Sequence, residues 1–416
     1  MLRSLRRSRG LVVAPDLPGG DVARVVKAID DVLAQRETNA QRASAGQLVA
    51  AYVGLDPDGR RRFLEALATE FGTDPLALDR AVDRVRAART PVERRTAERE
   101  LRHAVIPRYA AWLHVITGLP DGVAFLVDLR ADLLALRSRD PALGLLDDEL
   151  TGHLSTLFDV GLLELRQITW DSPASALERL MATEAVHAIT SWDDLRHRLD
   201  GDQRCYGFFH PALANEPIVF VEIALTHGLA DSLPELLNRE DTVDDADTAI
   251  FYSITSCQPG LAGVHLGNEL IKQVVDELRH EADHVRTFAT LSPLPGFRAW
   301  LEAQTEDGAL HPAEIEARGE QVRPALLSSA ARYLMTVRDG RAIDPVANFH
   351  LSNGASLERL NWMANPAPYG IDESFGLMVN YRYDRAKIAT NAGAYLSGGL
   401  ISASGQVRNL MKTAKP

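Results

Sequence analysis

Gly260-Leu261-Ala262-Gly263-Val264-His265-Leu266-Gly267-Asn268 lies between two segments of different hydrophobic period, and its reading decides the fold. Upstream, Ala249 to Ser256 carries the β-branched and aromatic residues of a strand. Downstream, Leu266, Leu270, Val274 and Leu278 predict a helix from about Gly263 to His280 with those four residues facing inward. Val285 to Thr290 reads as the next strand. Glycines at such a turn let the backbone approach a ligand. The helix start adds unpaired N–H groups and a dipole that favour an anion such as a pyrophosphate. Glycine-rich turns also serve simply to turn the chain, and the turn alone does not choose between these roles.

Working outward, Cys205 to Phe209 and Ile218 to Leu225 are strand-like, bounded by Asn215-Glu216-Pro217. This pattern begins after Thr169-Trp170-Asp171-Ser172-Pro173 and makes the second half α/β or α+β. Up to about Asp159 the period is helical. Asp74-Pro75 is an N-cap with proline at the first helical position, followed by Leu78, Val82 and Val85 on one face. Tyr109, Trp112, Leu113 and Ile116 make a second stripe, closed by Gly118-Leu119-Pro120. A third, from Asp121, carries Phe125, Leu126, Leu129, Leu133 and Leu136. Tight turns between amphipathic helices predict an antiparallel bundle with a structural role, including oligomer contact. The expected domains are 1–160, helical, and 161–416, catalytic.

Composition sets limits on function. The 416 residues suit two domains, and 25% charged residues with a mean hydropathy of -0.12 describe an ordinary globular chain. The longest strongly apolar runs, such as Ile218 to Leu225 with its glutamate, are far too short to cross a bilayer. A net charge of -12 argues against a general nucleic-acid binder. Two cysteines, Cys205 and Cys257, lack metal-type spacing and fit a reducing compartment. The start, Met1 to Arg9, is basic and free of acids, as a transit peptide can be; it is read here as an ordinary bacterial N-terminus. The expected location is therefore the cytoplasm rather than the mitochondrial matrix. The C-terminus is not a peroxisomal address.

His280-Glu281-Ala282-Asp283-His284 matches the H-E-x-x-H zinc motif, which needs both histidines on one helical face and a third ligand. The segment runs straight into the Val285 strand, so the helix is expected to end before His284. No metal is assigned. A different cluster asks for chemistry: Asn348-Phe349-His350-Leu351-Ser352-Asn353-Gly354-Ala355, followed by Asn361-Trp362-Met363-Ala364-Asn365. Core packing alone seldom sets a histidine among such polar and turn-forming residues. Ser292 stands in Leu291-Ser292-Pro293-Leu294-Pro295-Gly296-Phe297, where Ser-Pro and Pro-Gly also mark an ordinary loop. Tyr383 ends Gly376-Leu377-Met378-Val379-Asn380-Tyr381-Arg382-Tyr383 and reads equally well as a strand aromatic.

These segments, from Phe158-Asp159-Val160-Gly161 to about Ser397, resemble the malonyl-CoA decarboxylase family with its motifs in order. The resemblance implies an α+β chain: an all-α helical bundle followed by a GNAT-like catalytic domain of the acyl-CoA N-acyltransferase type. It also implies malonyl-CoA as substrate, acetyl-CoA and CO2 as products, a place in fatty acid metabolism, and a homo-oligomer, dimer or tetramer. Ala262, Gly263, Val264, His265, Leu266, Gly267 and Asn268 would wrap the coenzyme pyrophosphate. His350 would be the catalytic histidine, Ser292 the catalytic serine, and Tyr383 a supporting hydrogen-bond partner. Two positions depart from the pattern. Ala262 replaces a glutamine or arginine, and His265 replaces a glutamate linked to catalysis, so no acid role is assigned at 265.

The reaction explains the residue types. The thioester carbonyl is itself the electron sink, so no cofactor beyond the coenzyme A of the substrate is required. The protein must hold the carboxylate out of the thioester plane, stabilise the enolate oxygen and protonate the α-carbon. A histidine with a reference pKa of ~6.5 is suited to the last step. A covalent acyl-serine is not expected, since decarboxylation needs no nucleophile and the sequence displays no base paired with Ser292. The competing readings are a GNAT-type acyltransferase and a catalytically silent acyl-CoA-binding regulator. The sequence leaves malonyl versus methylmalonyl preference open.

Overall fold

Among the described residues, three helices open on an aspartate followed by proline: Asp56-Pro57, Asp74-Pro75 and Asp344-Pro345. In each, the aspartate side chain accepts a backbone N–H of the first turn, while proline occupies a position whose N–H would have no helical partner. The computed structural model describes residues 22–137, 143–184, 186–213, 215–238, 243–264, 266–304 and 319–412. These divide into two compact units.

The first unit ends at Leu163 and also takes in the described residues of His210–Ala214 and Gln258–His265. Its helices are α1 (Val22–Ala34), α2 (Thr38–Gly54), α3 (Pro57–Glu70), α4 (Pro75–Ala87), α5 (Pro91–Ala104), α6 (Arg108–Thr117), α7 (Gly122–Arg137) and α8 (Gly144–Leu157). The predicted stripe of α6 is fully buried, and Phe125, Leu126, Leu129 and Leu133 of α7 join it. Tyr52, Phe63, Trp112 and Phe125 form an aromatic centre with tilted and edge-on contacts at 5.0 to 6.5 Å. The α4 stripe is different. Leu78, Val82 and Val85 are only half-buried, and Ala81 is the residue of that helix that reaches the core. That helix pairs mainly with α5, so its apolar face is covered from one side.

The second unit carries the mixed sheet. In chain order it comprises β1 (Glu164–Ile168), α9 (Ala174–Thr183), α10 (Trp192–Arg198), β2 (Gln203–Phe209), β3 (Val219–Thr226), α11 (Leu233–Leu237), β4 (Thr248–Ser256), α12 (Gly267–Glu281), β5 (Thr287–Thr290) and β6 (Ser292–Pro293). After α13 (Phe297–Ala303) and α14 (Arg323–Met335) come β7 (Val337–Arg338), β8 (Arg341–Ala342), α15 (Pro345–Ser352), β9 (Ser356–Asn361), α16 (Pro368–Ser374), β10 (Met378–Arg382), α17 (Ile388–Gly398) and α18 (Gly405–Leu410). The main sheet runs β1-β2-β3-β4-β5-β10-β6, with β9 also on β10. β4 and β5 pair in parallel, from Thr248 opposite Thr287 to Phe251 opposite Thr290, and α12 supplies the crossover. Its neighbours in the sheet are antiparallel. A helical unit followed by this mixed sheet is the α+β architecture expected above.

Helix α12 begins later than its period suggested. Gly263 takes φ +83, outside the helical region, so the helix starts only at Gly267. Leu266, Leu270, Val274 and Leu278 are buried as predicted. Gly260 of the same loop has a packing role: a Cβ there would lie 1.8 Å from the carbonyl oxygen of Val127. Buried Arg130 fastens that loop within the first unit, donating to the Gly260 and Ala262 carbonyls at 2.7 Å and pairing with Asp147 at 2.9 Å. No helix among the described residues is long and apolar enough to cross a membrane.

Candidate active site

The site forms where β5 breaks. Leu291 donates its N–H to Phe251 of β4, and the chain then resumes as β6, pairing Ser292 with Val379 and Pro293 with Met378 of β10. At the break the Thr290 hydroxyl accepts the N–H of Tyr381 at 3.1 Å, replacing a missing ladder bond. The Asn380 amide donates to the Thr290 carbonyl at 2.7 Å, and its oxygen accepts from Asn361 at 2.9 Å and Arg359 at 3.1 Å. These bonds hold the Thr290–Ser292 kink open.

His350 arrives on the last turn of α15, a helix rather than the turn its polar neighbours suggest. Asp344 caps that helix through Ala347 N–H at 2.7 Å, and Asn353 ends it. Gly354 follows with φ +81, and a Cβ there would lie 2.2 Å from the Ile388 carbonyl oxygen, so only glycine lets the chain leave α15 against α17.

Three sequence-predicted residues meet here. Ser292 Oγ lies 3.1 Å from His350 Nε2, and Tyr383 Oη lies 2.8 Å from His350 Nδ1. Ser292 Oγ also lies 2.9 Å from Thr290 Oγ1. Ser292 donates to Thr290, so it accepts from Nε2–H while Nδ1 accepts from the Tyr383 hydroxyl. The Tyr381 ring stacks on the imidazole at 4.5 Å and 27°.

Two expectations need correction. Ser292 does have a titratable partner beside it, because His350 lies 3.1 Å away. The His350 imidazole also does not sit near its reference value: burial pushes its pKa down to about 3, which keeps it neutral near pH 7. Burial raises the Tyr383 hydroxyl well above its ordinary range, so it too stays protonated.

A cavity of about 250 Å³ adjoins Ser292 and His350, walled by Phe251, Ile254, Pro345 and Phe349 among others. Val186 enters its wall because the Glu184 carboxylate accepts the N–H groups of Val186 and His187 at 2.8 Å. The other oxygen of that carboxylate accepts from Ser253 at 2.7 Å and Thr255 at 2.9 Å. The largely apolar lining suits a short acyl thioester.

The remaining predicted residues lie elsewhere. Ala262, Gly263 and Val264 group with the helical unit, His265 lies outside the described residues, and Leu266 is the N-cap of α12, making no side-chain cap bond. Gly267 and Asn268 begin that helix. For the zinc-like motif, α12 ends at Glu281, so His280 and His284 do not share a helical face. His280 Nδ1 lies 2.6 Å from the Asp276 carbonyl, and Glu281 accepts the Tyr206 hydroxyl at 2.7 Å. Sequence reasoning missed Thr290, Asn380 and Tyr381. A polar Asn380 inside the apolar run Met378-Val379-Asn380-Tyr381 was the available signal, since a buried amide requires partners.

The chain matches the malonyl-CoA decarboxylase N-terminal domain over residues 71–158 and the malonyl-CoA decarboxylase C-terminal domain over residues 161–416. It is 37% identical over 418 residues to the mitochondrial malonyl-CoA decarboxylase of Anser anser anser, covering 88% of this chain and 83% of the goose protein. Identity to the mitochondrial enzyme of Rattus norvegicus is 36% over 360 residues, covering 76% of this chain and 73% of the rat protein. The crystal structure of malonyl-CoA decarboxylase from Rhodopseudomonas palustris superposes with a TM-score of 0.86 at 38% identity, covering 93% of this chain and 99% of that one. With both domain families matched in order and relatives of this similarity spanning most of its length, the chain belongs to the malonyl-CoA decarboxylase family.

Proposed function

We propose that this carboxy-lyase decarboxylates malonyl-CoA with His350 as the proton donor, Ser292 as the group that orients the thioester, and Tyr383 as the support for the imidazole. The observation that carries this reading is the chain Tyr383–His350–Ser292, with contacts of 2.8 and 3.1 Å, beside the 250 Å³ cavity. The malonyl carboxylate, placed there, favours a proton on the neutral imidazole, because an anion in a dry site stabilises its cation. The C–C bond then breaks, CO2 leaves, and the electron pair moves onto the thioester oxygen. Ser292 donates a hydrogen bond to that enolate oxygen. The imidazolium has now lost its carboxylate partner in a site that disfavours a buried cation. It delivers the proton to the α-carbon, giving acetyl-CoA.

The reaction consumes one proton and needs no nucleophile, so Ser292 acts through its hydroxyl hydrogen rather than through an acyl-enzyme. The coenzyme pyrophosphate is assigned to the N-terminus of α12, whose first N–H groups have no side-chain cap. The working enzyme is assigned as a cytoplasmic homo-oligomer, a location that two free, buried cysteines support.

Purified protein incubated with malonyl-CoA alone tests the reading. Acetyl-CoA and CO2 should appear in equal amounts without an acceptor. A requirement for an amine or carrier acceptor would replace it with acyl transfer.

A further inference from the structure

On the α12 side of the sheet unit, a cleft of about 690 Å³ lies among α12, the start of β5, the end of β10 and the start of α17. Lys272, Arg279, Arg286, Arg382 and Arg385 line it, against two acids, Asp276 and Asp384. Some of that charge is already paired. Lys272 lies 2.7 Å from Glu269, Arg382 3.9 Å from Glu358, and Asp384 3.1 Å from Lys387. Among the described residues, the guanidinium groups of Arg279, Arg286 and Arg385 form no ion pair. In a chain of net charge -12, three uncommitted guanidinium groups around one cleft are a local exception.

Their chemistry defines the guest. Each guanidinium offers a planar fork of donors that matches phosphate or carboxylate oxygens two at a time. One carboxylate satisfies only one such fork, whereas the cleft has three and a volume within the range of small-molecule sites. The first turn of α17 adds Ile388 and Ala389 to the wall, behind an N-cap, Lys387, that makes no side-chain cap bond. The cleft is also distinct from the start of α12. Arg279 lies twelve residues beyond Gly267, about 18 Å along a helix rising ~1.5 Å per residue. Tyr383, whose hydroxyl meets His350, forms part of the same wall.

We infer that this cleft binds a small molecule bearing two or more phosphate groups, held by Arg279, Arg286 and Arg385 next to Tyr383. Two sources supply that chemistry: the phosphorylated adenosine end of a coenzyme A thioester, or a free phosphorylated metabolite. The coenzyme source rests on the proposed reaction and would place the pyrophosphate here instead of at the start of α12; the binding site itself rests on neither.

Inorganic pyrophosphate titrated calorimetrically into the full chain, and into the Arg286→Ala/Arg385→Ala variant, tests the site. Both positions are exposed, and matching melting temperatures confirm that the variant is folded. Saturable binding should weaken by at least about tenfold in the variant, as expected for the loss of two charge-assisted contacts. Equal affinity in the two proteins, or no binding to either, overturns the inference. Steady-state kinetics with malonyl-CoA and malonyl-pantetheine then separate the sources. A coenzyme guest raises KM for malonyl-CoA alone in the variant. A free metabolite leaves both KM values unchanged, while pyrophosphate alters kcat of the parent protein but not of the variant. Binding at the cleft by a protein that decarboxylates neither substrate would refute the reaction and leave the site standing.

Discussion

Ser292 Oγ and His350 Nε2 lie 3.1 Å apart although fifty-eight residues separate them in the chain. The strand break at Leu291 presents the serine, and a helix that begins at Asp344-Pro345 presents the imidazole. Each buried polar group gains a hydrogen-bond partner from the other.

His350→Gln and Ser292→Ala should each lower kcat far more than they raise KM. Positioned acid–base groups contribute about 10²–10⁴-fold, so losses in that range are expected for His350→Gln. The Ser292 loss should be smaller, because one hydrogen bond to the enolate disappears while the proton donor remains. Acetyl-CoA formation under saturating substrate is the measurement. Near-native turnover in either variant would remove that residue from the mechanism.

Burial holds the free His350 imidazole neutral, with its pKa pushed down to about 3, whereas the proposed step needs it protonated. Binding of the substrate carboxylate must therefore raise the imidazole pKa so that the ring takes up a proton from solvent. Nitrogen NMR on imidazole-labelled protein at pH 6 should find His350 neutral in the free enzyme. A malonyl-CoA analogue with a sulfonate in place of the carboxylate should convert it to the cation. A neutral ring in both states would show that the α-carbon proton comes from elsewhere.

Tyr383 and Tyr381 both touch His350 but in different ways, which makes them a matched pair. Tyr383→Phe removes the contact to Nδ1, so about tenfold lower kcat is expected at unchanged KM, with the His350 titration displaced. The Tyr381 ring stacks on the imidazole, and its buried hydroxyl has no hydrogen-bond partner among the described residues. Tyr381→Phe keeps the stack and deletes an unsatisfied polar group, so stability should hold or rise by about 1 kcal/mol. Activity should survive. A large activity loss in Tyr381→Phe would give that hydroxyl a role at the substrate.

The legible parts of this fold were those written in local period. Leu266, Leu270, Val274 and Leu278 announced α12, and Trp112 with its neighbours announced the helical core, because burial of one helical face leaves a pattern in consecutive residues. Three site residues were legible through motifs. Their mutual contacts were not, since Ser292–His350 depends on the pairing of β6 with β10 and on where α15 ends. His350 was read for turn chemistry, yet Asp344-Pro345 repeats the helix start already recognised at Asp74-Pro75. The depressed imidazole pKa is likewise a consequence of tertiary burial, which spacing cannot encode.

Glu222 gives the protein an alkaline liability. It is buried on β3 with Arg198 3.6 Å away, and desolvation first, then Glu184, pushes its pKa up to about 8. An unfolded glutamate titrates near ~4.3, so between those values the native state holds a proton that the unfolded state has lost. Stability from this group therefore falls as pH rises from about 4 to 8. His350 and His187, lowered to about 3 and about 4, work in the opposite sense and cost stability as pH drops below their unfolded value of ~6.5. Glu222→Gln should raise the melting temperature at pH 8 by several degrees and change it little at pH 5. An equal shift at both pH values would mean that packing, not protonation, sets the difference.

Two glycines on either side of the α15–α17 contact should respond to alanine with opposite sign. At Gly354 the backbone is left-handed and an added Cβ would lie 2.2 Å from the Ile388 carbonyl oxygen, so one segment must move. Strain of that kind costs about 1–3 kcal/mol, and His350 sits only four residues earlier on the helix that would shift. Gly354→Ala should therefore lower both the melting temperature and kcat, the latter by up to about 10²-fold if the imidazole is displaced by an ångström. Gly393, within α17, has open space around its missing Cβ. Gly393→Ala removes unfolded-state entropy at an exposed helical position and should stabilise by about 0.4–1 kcal/mol without touching turnover. If Gly354→Ala kept full activity and stability, the close approach of α15 to α17 would not be what positions His350.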